Sequence, residues 1–250
     1  WSPLSGNADV LSAAAPPGAQ DRHLYVGGER ARRPRMAEAD AAALFAGSNM
    51  TAAGFTLAAG VPPPRWPRGG LGVEFVYPQS TSPWTEPRCA VASANATHVT
   101  MKQPCWRNLV HKACGQGSKG PPAAARAAGL GAPTNGNGYI ENVGGHLGVF
   151  APGEWALDGT RVLYAPRTAA ERAAALGGTL DAVMPIVQTL VDIDGAADLS
   201  FTNISFAHAT WLRPGEADGL VEQQTGCSAV GTNPNNSVCE NDWAWSVKAP

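Results

Sequence analysis

The stretch LGVEFVY at 71–77 alternates. Val73, Phe75 and Tyr77 fall on one side of an extended chain, Glu74 and Val76 on the other, and this period of two predicts a strand with one buried face. HLYV at 23–26, followed by Gly27-Gly28 and Glu29-Arg30-Ala31, reads as strand, turn, strand. RCAVAS at 88–93 and HVTMKQPCW at 98–106 predict two more strands. In PGEWALDGTRVLYAPR, residues 154–157 run outward, Asp158-Gly159 turns the chain through positive φ, and 161–164 return as the second arm of a hairpin. Trp155 and Tyr164, on opposite arms, are expected in the core, where aromatic side chains bury the most area.

Helical signals are few. Thr168-Ala-Ala-Glu171 is a capping box, Ala and Arg follow it, and Gly177-Gly178 stops the helix. The Ala-rich run 36–45, acidic early and ended by Gly47, predicts a second short helix. Residues 1–22, small and Pro-rich for most of their length, read as a lead-in, and 112–138, rich in Gly and Pro, as a long mobile loop. Beyond residue 180 the texture changes. Val183, Ile186, Val187, Leu190, Val191 and Ile193 precede a Gly turn, and Leu199, Phe201, Ile204 and Phe206 follow with Asp198 and Asn203 at bends. Short apolar strands between Gly, Asp and Asn corners predict stacked coils of a parallel β-helix, with Ile193, Leu199, Phe201, Ile204 and Phe206 inward. A pair of sandwich hairpins would give a similar pattern.

Composition narrows the classes of function. Charged residues are 15% of the 250 and the formal net charge is −2, which leaves no electrostatic footprint for nucleic acid or anionic membrane. The one basic cluster, 30–35, is short and broken by Pro34, as in a solvated loop. No apolar run approaches the ~20 residues of a membrane span. Five cysteines stand beside four N-glycosylation sequons, at Asn49, Asn95, Asn203 and Asn235, and the combination favours an extracellular or cell-surface protein. Cys89 and Cys105 flank neighbouring strands that a disulfide would staple. Cys227 and Cys239 bracket a polar loop that a second bridge would order, which leaves Cys114 odd. Cys105, His111 and Cys114 lack a second pair at ligand spacing, so no metal site is expected, and no cofactor motif occurs.

LYVGGERARRPR, WTEPRC, MKQPCW, YIENV, APGEWALDGTRVLYAPR and LSFTNISFAHATWLRP occur in one order that resembles the secreted right-handed parallel β-helix proteins of the pectin-lyase-like superfamily, specifically glycoside-hydrolase-like members with an inserted β-sandwich. The resemblance covers most of 20–215. It implies an all-β chain: an antiparallel sandwich-like domain over 23–167, then a short helix and the first coils of the β-helix over 168–250. It also implies that the catalytic carboxylates of such enzymes lie on later coils, beyond residue 250, so that this chain is part of a longer one acting on polysaccharide or glycoprotein.

Two functions follow as expectations, a glycoside hydrolase or polysaccharide lyase, and a non-catalytic structural or adhesion module of a wall or surface assembly. Within the chain Asp218 and Glu222 are the acid pair best spaced for glycosidic chemistry, which needs two carboxyls about 5–9 Å apart. His208 and Trp211, with Arg213, adjoin the same loop and are candidates to line a sugar groove.

Overall fold

The computed structural model describes residues 1–37, 48–51, 53–59, 72–77, 86, 88–103, 105–106, 139–143, 150–212 and 214, with three short strands further on. They form an all-β chain whose sheets are antiparallel. It falls into two compact units, Trp1–Pro34 with Phe150–Leu212 and Arg35–Val149 with Arg213–Pro250. The first unit opens with β1 (Ser2–Leu4), β2 (Asn7–Ala14), β3 (Tyr25–Val26) and β4 (Glu29–Arg30). The second contributes β5 (Arg35–Ala37), β6 (Asn49–Thr51), β7 (Gly54–Thr56), β8 (Glu74–Val76), β9 (Arg88–Ala94), β10 (His98–Met101) and β11 (Tyr139–Glu141). The chain then returns to the first unit for β12 (Trp155–Asp158), β13 (Arg161–Tyr164), helix α1 (Ala169–Leu176) and β14 (Ala182–Val183). The second unit adds β15 (Val221–Glu222), β16 (Cys227–Val230) and β17 (Ala244–Ser246), a three-stranded antiparallel sheet of its own.

In the first unit the expected hairpin is present, with Trp155 directly opposite Tyr164 and both rings fully buried. They pack with Leu24, Val26, Ala31 and Val162. The turn differs in one respect: Asp158 stays in β12 opposite Arg161, and Gly159 alone takes positive φ, at +62°. The hairpin is half of a sheet of order β1-β2-β13-β12. Residues 1–22 are therefore not a lead-in. Leu11 pairs with Tyr164, and Val10 and Leu11 are buried, while the Ala and Ser around them are small enough to leave no alternation in the sequence. Gly27 and Gly28, at +59° and +77°, turn β3 into β4 as read. Helix α1 has its capping box: the Thr168 hydroxyl accepts from the Glu171 amide at 3.1 Å. At the other end the Gly177 N–H donates to the Ala173 carbonyl, and Gly178 takes up positive φ.

The second unit is a sheet of order β5-β11-β8-β9-β10-β7-β6. Val73, Phe75 and Tyr77 face a core with Phe55, Val91, Met101, Trp106 and Ile140. The expected Cys89–Cys105 disulfide closes against it. Gly54, at φ +144°, lies where a Cβ would overlap the Val99 carbonyl oxygen, so only glycine lets β7 approach β10 this closely. The helix expected over 36–45 starts instead as strand, because Met36 pairs with Ile140 and packs on the core; 38–47 lie outside the described residues, as do 112–138.

The largest departure is in 184–209, where the described residues form no strand. Ile193, Leu199, Phe201, Ile204 and Phe206, expected inward, are 50–58% exposed. Inward burial requires a neighbouring coil on each side of the strand, and among the described residues no second coil is stacked on this one.

Candidate functional site

The segment 186–212 nevertheless has a definite course. Positive φ recurs at Gly195, Asp198, Asn203 and His208, at +65°, +57°, +55° and +64°. Asp, Asn and His are the non-glycine residues that enter this region most readily. The last three corners head five-residue repeats, DLSFT, NISFA and HATWL, a period that strand-and-turn reading had merged into its bends. Phe201 and Phe206 occupy equivalent places in successive repeats and meet edge to face, with centroids 5.6 Å apart. After the last corner the chain comes back over its own start. The Thr210 N–H donates to the Val187 carbonyl at 3.0 Å, and the Leu212 N–H to the Gln188 side-chain oxygen at 2.8 Å, 24 residues away in sequence.

This return assembles a cluster of rings. His208, at the third repeat's corner, lies against Tyr25 of β3 with centroids 4.5 Å apart. Tyr25 in turn meets His23 edge-on at 6.3 Å. The Thr210 hydroxyl and His23 Nδ1 are 3.0 Å apart, and the buried Arg22 donates from Nε to the Trp211 carbonyl at 3.0 Å. All three rings are half-buried, as is Trp211. The cluster thus offers ring faces at a partly open surface, chemistry suited to stacking against hydroxyl-rich ligands. His23 and Tyr25 escaped sequence reading because HLYV reads simply as a strand; their distance of more than 180 residues from His208 leaves no spacing signal.

The second unit holds a different polar cluster. β8 was expected to bury one face, yet Glu74 and Val76 on its other side are buried too. Glu74 and Glu141 are cross-strand partners on β8 and β11, where like charges repel. Arg88 lies between them, 2.8 Å from Glu141 and 3.8 Å from Glu74, and also binds Glu86. Arg35 reaches Glu141 at 2.9 Å while its guanidinium covers the Tyr139 ring. Burial works against the charge on Arg88, but Glu141, Tyr139, Glu86 and Glu74 outweigh it and raise its pKa. Burial also raises the Tyr139 phenol, with Glu141 adding to the effect against Arg88 and Arg35. The carboxylates are paired with guanidinium groups, an arrangement that fixes strand register. A charged residue between two apolar ones in VEF was the only sequence sign of it.

A third group joins hairpin and helix in the first unit. The Glu171 carboxylate accepts from the Tyr164 hydroxyl at 2.7 Å and the Arg167 amide at 2.8 Å, and pairs with the Arg167 guanidinium. Some burial opposes its charge, but the bonds from Tyr164 and Arg167 prevail and lower its pKa. Burial and the bond to Glu171 raise Tyr164.

Of the residues singled out in sequence, His208 is joined to ring partners and Trp211 lies beside them. Asp218, Arg213, His111, Cys114, Cys239 and Asn235 lie outside the described residues, and of Glu222 and Cys227 only the strand backbone is described. The acid pair and the Cys227–Cys239 bridge are therefore not among the structure's findings. Asn49, Asn95 and Asn203 are exposed. No group of three or more metal-ligating side chains occurs among the described residues. No helix among them is long and apolar enough to cross a membrane.

No family model matches the chain. None of the curated proteins matches it either. Among solved structures a chain described as a glycoside hydrolase matches over 91% of this chain, at 17% identity and a TM-score of 0.49. The present chain spans 39% of that protein's length. A likeness of this depth carries no argument about fold or activity.

Proposed function

We propose that the chain is the N-terminal part of an extracellular carbohydrate-active β-helix protein, of glycoside hydrolase or polysaccharide lyase type, with its catalytic coils beyond residue 250. The observation that carries the reading is the circuit from Val187 to Thr210, in which five-residue repeats turn through positive-φ corners and bring the chain back upon itself. A single solenoid turn has this course, and LSFTNISFAHATWLRP, one of the stretches that resemble the β-helix family, overlaps it. The Cys89–Cys105 disulfide agrees with an oxidising compartment. On this reading the His208–Tyr25–His23 cluster is a sugar-binding surface and the chemistry is done elsewhere in the protein.

A second reading, a non-catalytic surface or wall module, draws support from the state of the carboxylates in the two polar clusters. Glu141 is committed to Arg35 and Arg88, and Glu171 to Arg167, which leaves neither free to act as an acid.

Assay of the 250-residue chain and of its complete parent on xylan, pectic and arabinogalactan oligosaccharides separates the two. Turnover by the parent alone, with oligosaccharide binding to the 250-residue chain weakened by His208→Ala, is the expected outcome. Turnover by the short chain, lost on Asp218→Asn or Glu222→Gln, would move the chemistry into the loop after Trp211. Silence from both proteins would leave the surface module.

A further inference from the structure

Three exposed sequons are described, and they differ in local geometry. Asn49 opens the strand β6, and the hydroxyl of its sequon threonine, Thr51, is turned away to accept from the Ala53 amide at 3.2 Å. Asn203 sits at a corner of the 186–212 circuit. Asn95 lies at the tip of the β9–β10 hairpin, where residues 95–98 are all exposed. There its Oδ1 accepts from the Thr97 amide at 2.9 Å, the His98 amide at 2.9 Å and the Thr97 hydroxyl at 3.2 Å. The Thr97 hydroxyl also meets His98 Nδ1 at 2.7 Å. Its Nδ2 makes no hydrogen bond among the described residues.

We propose that Asn95 is the preferred N-glycan acceptor among the three described sequons, a proposal that rests on the extracellular reading above. An amide nitrogen is a poor nucleophile because its lone pair is shared with the carbonyl. The two backbone amides on Oδ1 stabilise the charge that gathers on the oxygen as Nδ2 gives up a proton, and so favour the reactive form. In the transfer the Asn95 Nδ2–C1 bond forms and the C1–oxygen bond of a lipid pyrophosphate-linked oligosaccharide breaks. The departing pyrophosphate takes the proton. The turn spans only residues 95–98, so it forms as soon as they emerge, before any strand pairing. In the folded hairpin the same tip is in solvent, so the attached glycan displaces no packing.

The test is expression in a secretory eukaryotic cell with glycopeptide mapping of each sequon. Most molecules should carry a glycan at Asn95, with occupancy at least several-fold above that at Asn49 or Asn203. Thr97→Ala should abolish it and Thr97→Ser should retain most of it, with the Cys89–Cys105 bond confirming the fold in each variant. Secreted, disulfide-bonded protein that is bare at Asn95, or equally occupied at Asn49, overturns the proposal alone. Bare sequons together with free thiols at 89 and 105 overturn both it and the extracellular reading.

Discussion

At the scale of single residues the buried charges give the clearest consequences. Arg88 and Glu141 are desolvated together, and removing one leaves the other with fewer partners: Arg88 keeps Glu86 and Glu74, and Glu141 keeps Arg35. Glu141→Gln should therefore lower the stability of the second unit by about 1.5–3 kcal/mol, the worth of its charge-assisted bonds, and combined with Arg35→Gln it should cost less than the two single changes added. Urea unfolding of the single and double variants reads this directly. Trp155 is the opposite case. Its indole N–H is buried with no acceptor among the described residues, so Trp155→Phe keeps most of the packing and removes an unsatisfied donor. It should cost much less than Trp155→Ala, for which about 3–5 kcal/mol is expected. Glu171 brings a dependence on pH. Its folded pKa lies below the unfolded value, so its contribution is present above the unfolded pKa and is lost as pH falls through the folded one. As pH falls below the ordinary carboxylate range, the thermal midpoint should thus drop more steeply for the native chain than for Glu171→Gln.

Among elements, the legible ones were those whose signals are local. The β12–β13 hairpin, the cap and stop of α1 and the Gly27-Gly28 turn each depend on a few adjacent residues, and each stands where sequence reading put it. β2 and β5 were missed because their evidence lies elsewhere in the chain: Leu11 becomes a strand residue through Tyr164, and Met36 through Ile140. The ring cluster failed for the same reason, since His208 was found and its partners His23 and Tyr25 were not. In 186–206 the apolar residues predicted inward strands, but the described residues form none there and repeat every five; burial, moreover, depends on what is stacked alongside. Two substitutions test the elements' own logic. Thr168→Ala removes the α1 cap and should cost about 1 kcal/mol. Gly54→Ala should be far worse, because the added methyl meets the Val99 carbonyl and β7 must separate from β10.

For the whole molecule, the uncovered residues of 186–206 dominate behaviour in solution. Ten large apolar side chains between Val183 and Phe206 are each 37–58% exposed. So many half-exposed large apolar side chains within 24 residues are unusual for a monomer, whose exposed apolar groups are mostly scattered singly. The isolated 250-residue chain should bind a hydrophobic dye and associate with rising concentration, and Phe201→Ser with Phe206→Ser should suppress both, as sedimentation would show. The pairing of β2 with β13 has a consequence in time. Ser12 and Arg161 are bonded across 149 residues, and all of Arg35–Val149, the larger part of the second unit, is synthesised between them. At ~5–20 residues per second the ribosome leaves the first strands without a partner for on the order of ten seconds or more. The insert can fold while they wait. An N-terminal tag or early chaperone that holds residues 2–14 during that interval would decide how much nascent chain ever closes its first sheet.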